Sequence, residues 1–139
     1  MNAIDTNILV YAFDSAYPSK RKICQEILSR IFEGKERAVV TNQILAEFAV
    51  TVMEKIEKPL SQPETTAIVG AILTSANWKI LNYTGSTILH AITSQQPFWD
   101  AVIAQTLKEH NINVILTENT KDFAKSGITT VNPLTEVKT

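Results

Sequence analysis

Asn2-Ala3-Ile4-Asp5-Thr6-Asn7-Ile8-Leu9-Val10 opens the chain with an apolar run broken by three polar residues. Residues 2–6 read as a short buried strand that stops at Asp5. The same kind of segment recurs. Ala38-Val39-Val40-Thr41 and Asn113-Val114-Ile115-Leu116-Thr117 are short apolar runs, and Lys79-Ile80-Leu81-Asn82 and Ile128-Thr129-Thr130-Val131 are weaker ones. Between them the apolar spacing changes to that of helices. Pro18-Ser19 opens one carrying Ile23, Ile27, Leu28, Ile31 and Phe32, and Gly34 ends it. Asn42 is a candidate N-cap for Ile44, Leu45, Phe48, Val52 and Ile56, with Pro59 beyond. Ser61-Gln62-Pro63-Glu64 has capping-box spacing before Ile68, Val69, Ile72 and Leu73. Residues 86–94 suggest a further helix, and another runs from Pro97 to about His110. Short apolar strands alternating with amphipathic helices predict an α/β domain with a largely parallel sheet.

The 139 residues fit one domain over 1–139, its tail beyond about 133 expected to fray. Thirteen basic residues nearly balance 14 acidic ones, for a net charge of -1, which argues against a general nucleic-acid binder with a basic face. The lone Cys24 lies in an apolar helical pattern, is expected to pack in the core and has no partner for an internal disulfide. Asp5 interrupts any secretory signal, and no apolar run is long enough to span a membrane, so a cytoplasmic location is expected.

In an open parallel sheet, ligands bind beyond the carboxyl ends of the strands. Asp5 ends the first strand. Glu47 lies about a helical turn past the second, and Glu118, Asn119 and Asp122 follow Thr117. Asp100 begins a helix, where partial positive charge favours a carboxylate. Glu47 and Asp100 are set among apolar neighbours, and burying a lone carboxylate costs several kcal/mol unless it is paired or binds metal. A shared divalent cation is one economical answer. Oxygen donors select hard ions such as Mg²⁺ or Mn²⁺, and His90, His110 and Cys24 make no zinc-type set.

Asp5-Thr6-Asn7-Ile8-Leu9-Val10-Tyr11-Ala12 resembles the first motif of PIN-domain ribonucleases, and Phe98-Trp99-Asp100-Ala101-Val102-Ile103-Ala104 resembles their third acidic motif. Glu47 matches the second acid. Leu116-Thr117-Glu118-Asn119-Thr120-Lys121-Asp122-Phe123 resembles the region of the fourth. The resemblance spans nearly the whole chain. It implies a PIN-like three-layer α/β/α fold and, with so short a chain, the VapC-type toxin group. For that group it implies a Mg²⁺- or Mn²⁺-dependent endoribonuclease acting on RNA, a homodimer, and an inhibitory antitoxin. Asp5, Glu47 and Asp100 would bind metal and activate water. Thr6 and Asn7 would position the first acid, and Thr117 would support it. Many members carry an acid where this chain has Asn119, so one tight metal is expected and a second is in doubt. Asp122 is a peripheral candidate, Glu118 and Lys121 weaker ones.

Plainer readings stand beside these. Asp5 and Asp100 could serve as helix caps, and Glu118 and Lys20-Arg21-Lys22 could simply be solvated. Phe98 and Trp99 could stack on bases but read first as core anchors. Asp14 is given no chemistry. A haloacid-dehalogenase-type phosphatase would need an Asp at position 7, where Asn7 stands. A non-catalytic PIN-like module with a decayed site is the remaining rival.

Overall fold

The computed structural model describes residues 1–135 and 137. Five strands form one sheet in the order β3-β2-β1-β4-β5: β1 (Asn2–Ile4), β2 (Ala38–Thr41), β3 (Trp78–Leu81), β4 (Val114–Leu116) and β5 (Thr129–Val131). Every pairing is parallel, with Ala3 opposite both Val39 and Ile115. The helices are α1 (Thr6–Tyr11), α2 (Pro18–Phe32), α3 (Asn42–Glu54), α4 (Gln62–Thr74), α5 (Gly85–Ile92) and α6 (Phe98–Glu109); a 3-10 turn covers Thr120–Phe123. β2 is buried along its whole length, as a strand covered on both faces must be.

The strand order fixes the layers. From β1 to β2 to β3 the chain steps one way across the sheet, and from β3 to β4 to β5 it steps the other way. Right-handed crossovers then put α1–α4 on one face and α5–α6 on the opposite face, the three-layer α/β/α arrangement expected from the resemblance. The loops leaving β1 and β4 diverge, which opens a crevice at their carboxyl ends.

Local differences from the sequence reading have physical reasons. β1 ends at Ile4 rather than running to residue 6, because Asp5 leaves the strand and caps α1, its Oδ1 accepting from Thr6 N at 2.8 Å. Thr41, not Asn42, caps α3. Its hydroxyl takes the Ile44 N–H at 3.1 Å, while Asn42 Oδ1 accepts from Gln43 N and from Tyr83 N of the neighbouring loop. The capping box at Ser61 and Glu64 is present, and a second one at Thr84 and Thr87 sets α5 a residue early. Gly34 lies at φ 80 after α2, a left-handed stop that glycine adopts without strain. Beyond 133, Leu134 is buried; residues 136, 138 and 139, on which the expected fraying also falls, lie outside the described ones. Cys24 is buried, as expected, and burial pushes its thiol up to about 12. Among the described residues, no helix is long and apolar enough to cross a membrane.

Candidate active site

Asp5 sits at the switch point of the sheet. Its backbone N–H donates to Leu116 O on β4 at 3.0 Å, which aligns its side chain with that of Thr117 just past the end of β4. The Thr117 hydroxyl donates to Asp5 Oδ2 at 2.7 Å, and Asn7 Nδ2 donates to the same oxygen at 3.3 Å and to Thr117 Oγ1 at 3.2 Å. Asn7 Oδ1 accepts from Glu118 N and Thr117 Oγ1 from Asn119 N, both at 3.0 Å. Two polar side chains, each held in turn by a loop amide, thus lock one carboxylate that is only 6% exposed. Thr6 contributes its backbone N–H, while its own buried hydroxyl has no partner among the described residues.

A cavity of about 390 Å³ opens above this network, lined by residues that include Asp5, Asn7, Glu47, Asp100 and Asn119. Glu47 and Asp100 reach it from α3 and from the first turn of α6. The electrostatics of the three acids point one way. Burial, then the charge of Asp122, raises Asp5 against the three hydrogen bonds that oppose it. Burial, then Asp122, Asp5 and Glu47, pushes Asp100 up to about 6. Partial burial of its carboxyl, then the charge of Asp5, raises Glu47 against the Gln43 hydrogen bond and Lys55, although the residue as a whole is exposed. These carboxylates repel one another across a cavity with one lysine at its edge.

That is an all-oxygen donor set with unbalanced negative charge, and it fits a hard divalent cation that keeps part of its water shell. The set is open: among the described residues, no three His, Cys, Asp or Glu side chains are gathered closely enough to hold an ion by themselves. Glu47 is also exposed rather than enclosed by its apolar neighbours, because Ala46 and Glu47 face outward on α3 while Ile44, Leu45 and Phe48 face the core.

Of the other candidate residues, Asp122 is half-buried in the 3-10 turn and acts on Asp5 and Asp100 through its charge without lining the cavity. Glu118 points elsewhere. It pairs with Lys20 at 2.7 Å and accepts from Tyr11 Oη at 2.6 Å; burial alone would raise it, but these partners hold it below its ordinary value. Lys20 is therefore engaged rather than merely solvated. Lys121 is exposed and outside the cavity. Asp100 does not cap α6, which starts without a side-chain cap. Phe98 and Trp99 are not core anchors: they are 40% and 54% exposed.

Sequence reasoning missed three residues here. Asp14, buried in the turn after α1, lines the cavity and accepts from Ala16 N at 3.0 Å. Lys55 lines it from the end of α3. Gln43 donates from one Nε2 to Glu47 Oε1 at 3.1 Å and to Trp99 O at 3.0 Å, tying the second acid to the turn that carries the third. Its place four residues before Glu47 was the available signal.

The family model for the PIN domain matches residues 3–127. The chain belongs to the PIN-domain family. Solved structures share the fold at low identity. A toxin–antitoxin complex from Klebsiella pneumoniae has a chain 20% identical, with a TM-score of 0.64 over 96% of this chain and 98% of that one. The sarcin–ricin-loop-cleaving toxin VapC20 of Mycobacterium tuberculosis is 12% identical, with a TM-score of 0.65 over 93% and 97%. FitAcB from Neisseria gonorrhoeae is 19% identical, with a TM-score of 0.63 over 97% and 99%. No curated protein matches the chain significantly. In this PIN domain, the matched segment contains Asp5, Glu47, Asp100 and the whole Thr117 network.

Proposed function

We propose that this PIN domain is an endoribonuclease dependent on Mg²⁺ or Mn²⁺ and the toxin of a toxin–antitoxin pair. The observation that carries the reading is the convergence of Asp5, Glu47 and Asp100, from three separate elements, on one cavity at the switch point of the sheet. Asp5, Glu47 and Asp100 would hold the ion together with water that completes its shell. When bound, it would supply Lewis-acid stabilisation of phosphodiester charge and an activated water. Thr117, Asn7 and the Thr6 N–H hold Asp5 in one orientation. Gln43 holds Glu47 against the start of α6. Asn119, at the rim, offers a carbonyl oxygen without charge, so one tight metal and a weak second are proposed.

Toxin–antitoxin neighbours support an antitoxin partner; a homodimer and a cytoplasmic setting are proposed from the motif resemblance alone, and the length supports one domain over 1–139. RNA is proposed as the substrate on the resemblance of the Asp5 and Asp100 motifs to those of PIN-domain ribonucleases.

The test is cleavage of a mixed RNA pool with Mg²⁺, with Mn²⁺ and with EDTA, using wild type, Asp5→Asn and Asp100→Asn. Metal-dependent cutting lost in both folded variants is the expected result. A second reading, a binding module with a decayed site, draws on Asn119 and the open donor set. No cutting of RNA or DNA by folded wild type free of inhibitor would favour it.

A further inference from the structure

A second cavity, of about 420 Å³, adjoins the acidic one and shares Glu47 with it; Asn42, Gln43, Ala46, Tyr83 and Trp99 complete its lining. Trp99 directly precedes Asp100, so the first turn of α6 gives a carboxylate to one cavity and an indole to the next. The indole packs edge to face with Phe98, ring centroids 5.2 Å apart, and both residues stay exposed. Core packing does not account for them. Tyr83 lines the same cavity, its backbone N–H donating to Asn42 Oδ1 at 3.0 Å and its side chain packed against the cluster of Ala91, Ala101 and Val102. Gln43, 6% exposed, has both its Nε2 bonds committed, while its buried Oε1 has no partner among the described residues.

The chemistry of this lining selects its occupant. Aromatic walls offer π-faces on which any base can stack. Glu47 is the one charged residue of the lining, so a phosphate is disfavoured there and a neutral ring is not. A phosphodiester held at the acids has its neighbouring bases within reach of a cavity that begins at Glu47. A base inside a duplex has both faces covered, so the base must be unpaired. We propose that the Trp99–Tyr83 cavity is a stacking subsite for one unpaired nucleobase flanking the scissile phosphodiester, an inference that rests on the nuclease reading above.

The chain has two tryptophans, buried Trp78 and exposed Trp99, so Trp78→Phe leaves Trp99 as the only indole reporter. Short single-stranded RNA is titrated in Ca²⁺, to hold the complex, and cleavage is followed separately in Mg²⁺. The expected result is saturable quenching of Trp99 by RNA and about tenfold weaker RNA binding in Trp99→Ala, mostly recovered in Trp99→Phe. If Trp78→Phe does not fold, the difference between wild-type and Trp99→Ala emission gives the same reading. RNA that is bound and cut without moving Trp99 emission, and equally well by Trp99→Ala, overturns the subsite and leaves the nuclease standing. No binding or cutting of RNA by wild type overturns both. Trp99 emission that changes with protein concentration alone, and not with RNA, assigns the cavity to a contact between copies and overturns the proposal.

Discussion

Thr117 Oγ1 donates a 2.7 Å hydrogen bond to Asp5 Oδ2 across 112 residues of chain, joining the ends of the two strands that flank the crevice. The threonine is fully buried, and its oxygen also accepts from Asn7 Nδ2 and Asn119 N. Thr117→Val keeps the shape and removes all three bonds. Leaving a buried carboxylate short of a donor costs about 1–3 kcal/mol. Urea unfolding of the variant is expected to show that loss. RNA cleavage is expected to fall as well, because Asp5 loses one of the two side chains that orient it; unchanged stability and activity would remove Thr117 from the site.

Asp100 sets the pH behaviour. Its carboxyl is pushed up to about 6 in the folded protein, by burial first and then by the neighbouring acids, from 3.8. A raised acid holds its proton more tightly folded than unfolded. Its contribution to stability is therefore fully present below about pH 4 and is lost as pH rises through about 6. Metal-free protein is expected to be less stable at a pH of about 7.5 than at about 5 on this account, and Asp100→Asn is expected to reduce the difference by roughly 1 kcal/mol after solvent screening. Added Mg²⁺ is expected to stabilise wild type more at the higher pH, because the ion competes with the proton. Thermal melts with EDTA and with Mg²⁺ at both pH values measure all three effects.

Gln43 bridges the second and third acids. Gln43→Leu frees Glu47 and leaves the Trp99 carbonyl without its side-chain donor. Because Gln43 acts through the Glu47 carboxylate and the Trp99 carbonyl, the expected signature is a positioning defect. Mg²⁺ dependence should shift to higher concentration, with a stability loss of about 1 kcal/mol. Cleavage measured against Mg²⁺ concentration separates this from plain unfolding, which would lower activity at every concentration.

The sequence made some of this arrangement legible and concealed the rest for definite reasons. Asp5 and Asp100 could be found because each interrupts an apolar segment at the end of an element, where a polar residue needs explaining. Helix α1 could not, because six residues are too few for a helical period to stand out from the strand before it. Thr41 and Asn42 are both good caps, and only the Tyr83 loop, which claims the Asn42 side chain, decides between them. Glu118 looked free because its partner Lys20 lies 98 residues away. Trp99 and Phe98 looked like core on apolar character alone, whereas the start of α6 is placed at the surface by the packing of the elements around it.

Asn119 is the position at which this chain departs from the pattern it otherwise resembles, and it can be tested directly. Its side chain is exposed at the rim of the acidic cavity, and its N–H is already fixed to Thr117 Oγ1. Asn119→Asp should therefore add a carboxylate with little change of backbone. Without metal, that charge joins Asp5, Glu47, Asp100 and Asp122 and increases their repulsion, so the variant is expected to melt below wild type at neutral pH. With Mg²⁺ the order should reverse or close, since a cation gains a charged oxygen in place of a neutral one. Calorimetric titration is expected to show tighter binding, and a second equivalent of Mg²⁺ if the missing acid is what keeps the second site weak. Two tight, independent sites already present in wild type would refute the one-metal proposal, and an Asn119→Asp variant that binds Mg²⁺ no better than wild type would place this residue outside the metal's reach.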